Sequence, residues 1–407
     1  MGRVPHHQRR YHGFNAKGAV SLVHGKIDGR LVCTRGTFEN GLVAGSLKVR
    51  SVFLNQGFNA KGEVRLVGAE INGALICTRG TFEKRLNASV LKVGTVFLNE
   101  GFNAKGVVRL VGAAIDGALI CTRGTFEAGL IASSLKVGSV LLNQGFNAKG
   151  VVRLVSAEIA AKLNCSGGTF EGNLDLRKAH AGTLADDPKS WPKPGKLLLE
   201  GFEYSISSHP GVPRDAKLRL DWIELGPEDP FLPQPYEQLV KVLHAMGDEA
   251  GAHKVSIRKR WVLRQRGKIG FAAWLWSWFL YLTVGYGYRA WLSILWAVAV
   301  VMVGGFIFRP AAVLRVADPN VPAVASAPAA APQKPPAQIA ESKLPHPFLY
   351  SIDVFIPFAD LNQKKNWQLD EKNQYFLAYQ AWYLFEELAG WVLIGLLGAA
   401  ATGLLKK

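Results

Sequence analysis

Gly57-Phe58-Asn59-Ala60-Lys61-Gly62 opens a unit that recurs with the same hexapeptide at Gly13, Gly101 and Gly145, always 44 residues apart. A strict period without insertions gives every copy an equivalent place. Copies too small to bury an apolar side alone must stack on their neighbours, which predicts a solenoid over residues 1–206. The apolar positions of one copy (Val64, Leu66, Ile71, Leu75, Cys77, Phe82, Leu91, Val93, Val96, Leu98 and Phe102) fall mostly two, four or five apart, between Gly, Asn and Thr. That is the spacing of strands and turns. A helical repeat would have to carry Gly57, Gly62, Gly68, Gly73 and Gly80 inside its helices, at ~1 kcal/mol each.

Each copy divides again, because Leu75–Phe82 resembles Val96–Phe102. Two turns of about 22 residues per copy predict a mainly β N-terminal domain, a parallel β-helix of about eight to nine rungs. Residues one copy apart then form inward columns, such as Leu22, Leu66, Leu110 and Leu154, or Phe38, Phe82, Phe126 and Phe170. Asn15, Asn59, Asn103 and Asn147, together with Asn55, Asn99 and Asn143, are expected at corners, where asparagine tolerates left-handed backbone and stacked amides can bond along the axis. Cys33, Cys77, Cys121 and Cys165 make one more column. Two rungs separate successive sulfurs by ~9.6 Å, past the ~7 Å between Cα atoms that a disulfide tolerates. Buried free thiols are therefore expected, and they lack the Cys-x-x-Cys or histidine neighbours of a redox or metal site.

The 407 residues, formal net charge of +17 and 20 prolines suit a chain of several regions. Met1–His12 is polar and basic, unlike a cleavable signal peptide, and enters the solenoid partway through a turn, so an exposed β edge is expected there. His6, His7, His12 and His24 cluster only at this basic end, and no metal site is expected from them. After a loop at 185–195 and a last strand-like stretch at 197–206, residues 207–234 form a connecting segment. The three- and four-residue spacing of Tyr236, Leu239, Val240 and Leu243, then Ala252, Val255, Val262 and Leu263, predicts a basic helical hairpin over 235–268. Its second half carries Lys254, Arg258, Lys259, Arg260, Arg264, Arg266 and Lys268 without an acid, immediately before an apolar stretch. That is the pattern of a cytoplasmic membrane flank, able to meet anionic lipid or an acidic partner. Nucleic acid is not expected, since Trp261 is the single interleaved aromatic.

Two stretches approach the ~20 residues that cross hydrocarbon, 290–308 and 388–405, the latter followed by Lys406 and Lys407. Between them lie an Ala/Pro-rich linker at 309–345 and a segment with the start of a helix at 346–387. Residues 310–372 carry six basic and six acidic side chains, so this stretch is expected on the translocated, periplasmic side, with both termini and the solenoid cytoplasmic. Residues 269–289, with Trp274, Trp276 and Trp278, are expected to lie in the interface or re-enter it, anchored by Tyr286, Tyr288 and Arg289, as Trp391 anchors the last span; the alternative, which the lack of a polar face favours, is a third crossing. Thr283-Val284-Gly285-Tyr286-Gly287 also spells a potassium-filter sequence. The weighed alternative is that its glycines simply let the chain turn at the membrane surface. Glu386 and Glu387 precede the last span, point to different helix faces, and are read as interface markers.

Gly62 to Cys77, Pro235–Leu239, Gly285–Arg289, Asp360–Gln363, Trp367 and Gly390-Trp391 resemble a bacterial family of membrane-anchored, pentapeptide-repeat-like β-helix proteins with C-terminal transmembrane helices. Its members often carry the label membrane-associated oxidoreductase. The resemblance implies a solenoid on a bacterial inner-membrane anchor, and the label implies redox chemistry. The residues themselves show no dinucleotide fingerprint, nucleophile elbow or zinc-protease motif, so neither a catalytic residue nor a cofactor is expected. The reading is an inner-membrane-tethered scaffold binding an acidic partner or the anionic leaflet. An oligomeric conductance and the redox activity are the alternatives. Membrane lipids, a protein partner and further copies of the chain are the partners it calls for.

Overall fold

The computed structural model describes residues 13–206, 214–266, 270–309, 313–316, 346–402 and 404. They fall into two compact units, Met1–Gly267 and Lys268–Lys407.

The first unit begins with a parallel β-solenoid of three sheets, with eight, nine and nine strands. Its nine rungs run from Lys26–Val32 to Glu203–Ile206 in the third sheet. Phe38 pairs with Ala60, which pairs with Phe82, so one rung is 22 residues long. The sequence nevertheless repeats at 44 because neighbouring rungs are complementary in volume. Where one rung reads Gly80-Thr81-Phe82, the next reads Phe102-Asn103-Ala104, in register. A Cβ on Gly80 would lie 2.6 Å from the Leu54 carbonyl oxygen and 3.2 Å from the Phe82 ring, so glycine is required there. Large and small residues exchange places at each step. The result is an unbroken ladder of rings, Phe14, Phe38, Phe58, Phe82, Phe102, Phe126, Phe146 and Phe170, with centroids 5.2–5.4 Å apart.

The same alternation governs charge. One step beyond the ladder, Lys17, Glu39, Lys61, Glu83, Lys105, Glu127, Lys149 and Glu171 follow at 22-residue intervals. Opposite charges thus face across every rung step, as in Lys61 and Glu39 at 2.9 Å.

The corners match expectation in part. Left-handed backbone falls on Arg35, Ser46, Gln56, Arg79, Val90, Glu100, Arg123, Ser134 and Gln144, not on the asparagines. Asn59, Asn103 and Asn147 sit in strands. Asn55, Asn99 and Asn143 instead use their side chains, accepting from the hydroxyls of Thr34, Thr78 and Thr122 at 2.7–2.8 Å. Stacked rungs offer these amides a threonine donor, so side-chain bonding rather than backbone tolerance decides their place. Each sheet starts at an edge strand paired on one side, Asn15–Ala16, Val20–Ser21 or Lys26–Val32, among the described residues.

Three helices follow the last rung: α1 (Ala216–Ile223), α2 (Gln234–Ala245) and α3 (Glu249–Arg266). The first lies in the stretch read as a connection. Asp215 caps it by accepting from the backbone of Lys217 and Leu218. These helices close the end of the core. Gln238 donates to the Tyr204 carbonyl at 2.9 Å, and the Tyr204 ring meets Trp222 edge-on at 5.6 Å. Arg219 reaches back to Asp186 with bonds of 3.0 and 2.6 Å, both side chains buried.

The second unit contains α4 (Phe271–Val284), α5 (Trp291–Ile307), α6 (Pro347–Phe355), α7 (Gln363–Asn366) and α8 (Phe376–Ala401). Leu314–Val316 pairs antiparallel with Trp367–Leu369. The stretch expected at 290–308 forms the 17-residue helix α5. The expected helix at 388–405 starts earlier, at Phe376, so Glu386 and Glu387 lie inside it. Asp353 is buried and accepts from the backbone N–H groups of Leu361, Gln363 and Lys364 at 2.8–2.9 Å, pinning the chain that enters α7. Most of the Ala/Pro-rich linker, and residues 1–12, lie outside the described residues.

Candidate functional site

The basic run expected to meet lipid or an acidic partner occupies α3, and much of it is already engaged. Arg258 makes a two-bond pair with Glu224 at 2.7 and 2.9 Å and lies over the Trp261 ring at 4.5 Å. Lys259 pairs with Glu237 at 3.2 Å, Arg264 is buried and Arg260 has partners of its own, while Lys254 remains exposed. Lys268 and the side chain of Arg266 lie outside the described residues. A run of cations reads in sequence as one surface, but a helix turns successive residues 100° apart, and two faces of α3 pack on α1 and α2.

On the solenoid, too, many cations are neutralised, most of them between rungs: Lys48 and Lys92 by Glu70, Lys136 by Glu158, Arg153 by Asp175 and Arg85 by Glu63, which also pairs with Arg65 on its own rung. Lys105, Arg109 and Lys149 have no ion pair among the described residues. Lys105 and Lys149 belong to the first-sheet edge, one repeat apart, and Arg109 is the outward residue of Val108–Arg109 in the second sheet. Glu127 lies between Lys105 and Lys149 in their column, so the three are separate cations outside ion pairs rather than a continuous strip.

The second candidate surface is apolar. Trp274 and Trp276 on α4, Trp291 on α5, and Leu388 and Trp391 on α8 are exposed. Helix α8, with 26 residues, is long and apolar enough to cross a membrane, and only 28% of its apolar window is buried. A helix serving as the core of a water-soluble bundle would be covered on most sides. Helices α4 and α5 pass the same test together but bend by 117° at their junction, either a broken span or a re-entrant turn.

At that junction Tyr286 departs from its expected role as a surface anchor. It has left-handed backbone (φ 58°, ψ 31°), is 2% exposed, and packs with Leu280, Val284 and Leu396. Its hydroxyl is 2.7 Å from Ser277 Oγ, a partner one helical stretch back that draws the ring inward. Trp278 and Tyr288 are half-buried and Arg289 is exposed. The Val284 carbonyl accepts from the Arg289 N–H at 3.1 Å and the Gly285 carbonyl from Tyr288 at 3.2 Å. A filter needs those oxygens turned towards an ion; here the segment is a closed turn.

No family model, curated protein or solved structure matches this chain.

The cysteine column and the Phe38, Phe82, Phe126 and Phe170 column are both fully inside the solenoid. All four cysteines are free thiols. Burial pushes the Cys33 thiol up to about 11 and raises Cys77, Cys121 and Cys165 as well. The reactive species is the thiolate, and these shifts keep it scarce at neutral pH. Iodoacetamide at about pH 8 should therefore leave Cys77, Cys121 and Cys165 unmodified in the folded protein and alkylate all four after denaturation. Mass mapping of a modified Cys121 in the native state would refute that burial.

Two buried carboxylates carried no recognisable signal in the sequence. Asp186 follows a rung and finds Arg219 33 residues later, a separation without any motif. Glu386 is buried against Ser351 and Gly304, and only the paired glycines at 304 and 305 hint that something approaches α5 closely there.

Proposed function

We propose that this protein is a membrane-tethered β-solenoid platform whose outward cations dock an acidic surface, with the rod on the cytoplasmic side of a bacterial inner membrane. The reading is carried by one observation: α8 exposes most of its apolar surface in a chain whose other unit is a rod of regularly spaced outward side chains. The basic stretch before α4 supports the orientation. Lys105, Arg109 and Lys149 are held in no ion pair among the described residues, although Glu83, Glu127 and Glu171 occupy the neighbouring steps of the lysine column, and such charge acts through a screened field. The buried thiols and the closed turn at Val284–Tyr288 give neither the redox nor the conductance reading comparable support.

Full-length protein in zwitterionic nanodiscs tests the platform with two probes, polyglutamate and phosphatidylglycerol vesicles. Capture of one probe at low salt and release at high salt is expected, with a several-fold loss in the triple variant Lys105→Gln, Arg109→Gln, Lys149→Gln. Polyglutamate capture identifies a protein-like partner and vesicle capture a lipid one. Capture of neither probe, or binding indifferent to salt and to the triple variant, would overturn the reading.

A further inference from the structure

In the second unit, one acid has no counterpart. Glu386 of α8 is 0% exposed, and no lysine or arginine lies within ion-pair distance among the described residues. It faces α5 and α6. From α5 come the Val301 carbonyl and Gly304, neither of which titrates; from α6 come Ser351, Tyr350 and Asp353; α8 itself contributes Trp382, Tyr383 and Glu387. The nearest acid, Asp353, spends both oxygens on backbone N–H groups. Every charged neighbour is therefore another acid.

The hydrogen bonds around the carboxyl fix where a proton sits. Ser351 Oγ is bonded to Glu386 Oε1 and donates to the Val301 carbonyl oxygen at 2.9 Å. A hydroxyl has one hydrogen. If Ser351 gives it to Val301, which can only accept, the hydrogen between Ser351 and Glu386 must belong to Glu386. The relay then runs in one direction, Glu386 Oε1–H to Ser351 Oγ–H to Val301 O, joining α8, α6 and α5 with every hydrogen used once. Glu386 Oε2 is buried without a partner, tolerable for the carbonyl oxygen of a neutral acid and costly for half of a carboxylate. Trp382 Nε1, four residues earlier on the same helix face, is the buried donor beside the carboxyl, so the pocket offers it a neutral N–H and no cation. Gly304 holds the place open, because a Cβ there would lie 2.5 and 2.6 Å from the two carboxyl oxygens and 2.5 Å from Ser351 Oγ.

We propose that Glu386 is a proton-binding site: a carboxylic acid whose proton bonds α8 to α6 and, through Ser351, to α5. Loss of that proton leaves a charge facing Gly304 and the Val301 carbonyl with nothing to offset it, so the three helices separate there. The ligand is the proton itself. A metal ion would need further oxygen ligands, and no cluster of three metal-binding side chains occurs among the described residues.

Dicyclohexylcarbodiimide, an apolar reagent that adds the O–H of a protonated carboxyl across its N=C bond with no leaving group, tests this on the full-length protein in nanodiscs at neutral pH. Peptide mapping should place the adduct on Glu386 and not on Glu387, and the infrared spectrum should contain a protonated-acid carbonyl band that is missing from Glu386→Gln. That variant should fold, since a glutamine amide can donate to Ser351 as the acid does. Were Glu386→Gln unable to fold, the wild-type adduct and its position would still decide. An unmodified Glu386 together with no acid band that depends on it would overturn the proposal.

Discussion

Replacing Arg219 by methionine in the full-length protein should remove about 3–5 kcal/mol of stability from the solenoid unit, the usual cost of stranding one member of a buried ion pair. Arg219 is 0% exposed and Asp186 3%. Without the guanidinium, Asp186 keeps the Trp191 indole N–H at 2.9 Å as its one remaining bond from a side chain among the described contacts. Arg219 also lies 5.3 Å above the Trp222 ring, so the variant loses a cation–π contact where α1 meets Tyr204. The charge, rather than the packing, dominates the expected loss. Adding Asp186→Asn to Arg219→Met removes the uncompensated carboxylate and leaves the Trp191 bond, so most of the loss should return. Denaturant unfolding followed by tryptophan fluorescence measures both variants. A single-variant loss under about 1 kcal/mol would place the pair among exposed bridges and contradict its burial. Glu203–Ile206, the last strand of the third sheet, is covered by α2 through Gln238, so loosening the helices that close the core uncovers it, and an uncovered strand edge invites association. Aggregation on partial denaturation should accompany the stability loss.

What the chain discloses in advance follows the range of the interactions. Stacking is written as repetition: Leu66 and Leu110, or Phe82 and Phe126, recur at a fixed interval because each must meet the same neighbours. The rung count and inward columns could therefore be read directly. The corner assignment could be read for Asn55, Asn99 and Asn143, which sit at corners and bond along the axis, but not for Asn59, Asn103 and Asn147, which sit in strands. Left-handed preference is a statistical tendency of an isolated residue, whereas a stacked threonine hydroxyl is a specific partner that appears only once the rungs are in register. Charge is obscured for a related reason. Lys61 looks basic when read along one copy. Across the rung step Glu39 sits beside it, while Arg65 pairs with Glu63 on its own rung. In the second unit, the apolar stretches could be read but not what they enclose, since Val301, Ser351 and Glu386 are brought together by helix packing alone.

Phe102→Ala should cost about 3–5 kcal/mol, at the upper end for a core phenylalanine, because nothing nearby can fill the space. The ring is 0% exposed, between Phe82 at 5.3 Å and Phe126 at 5.2 Å. The residues stacked directly above and below it, Gly80 and Gly124, have no side chain to move inward. Phe14→Ala removes the same group from the open first rung, where the ring is 46% exposed, and should cost about 1 kcal/mol or less. A nearest-neighbour stack also predicts where the damage appears. Amide hydrogen exchange should accelerate in the rungs on either side of Phe102 while α1 to α3 stay protected. The double variant Phe102→Ala, Phe126→Ala should lose less than the sum of the two singles by about 0.5–1.5 kcal/mol, since their mutual ring contact is removed only once. Strict additivity would mean that the rings fill volume independently. Equal losses at Phe14 and Phe102 would mean that stability does not arise rung by rung, and the complementary alternation of Gly-Thr-Phe with Phe-Asn-Ala would then need another explanation.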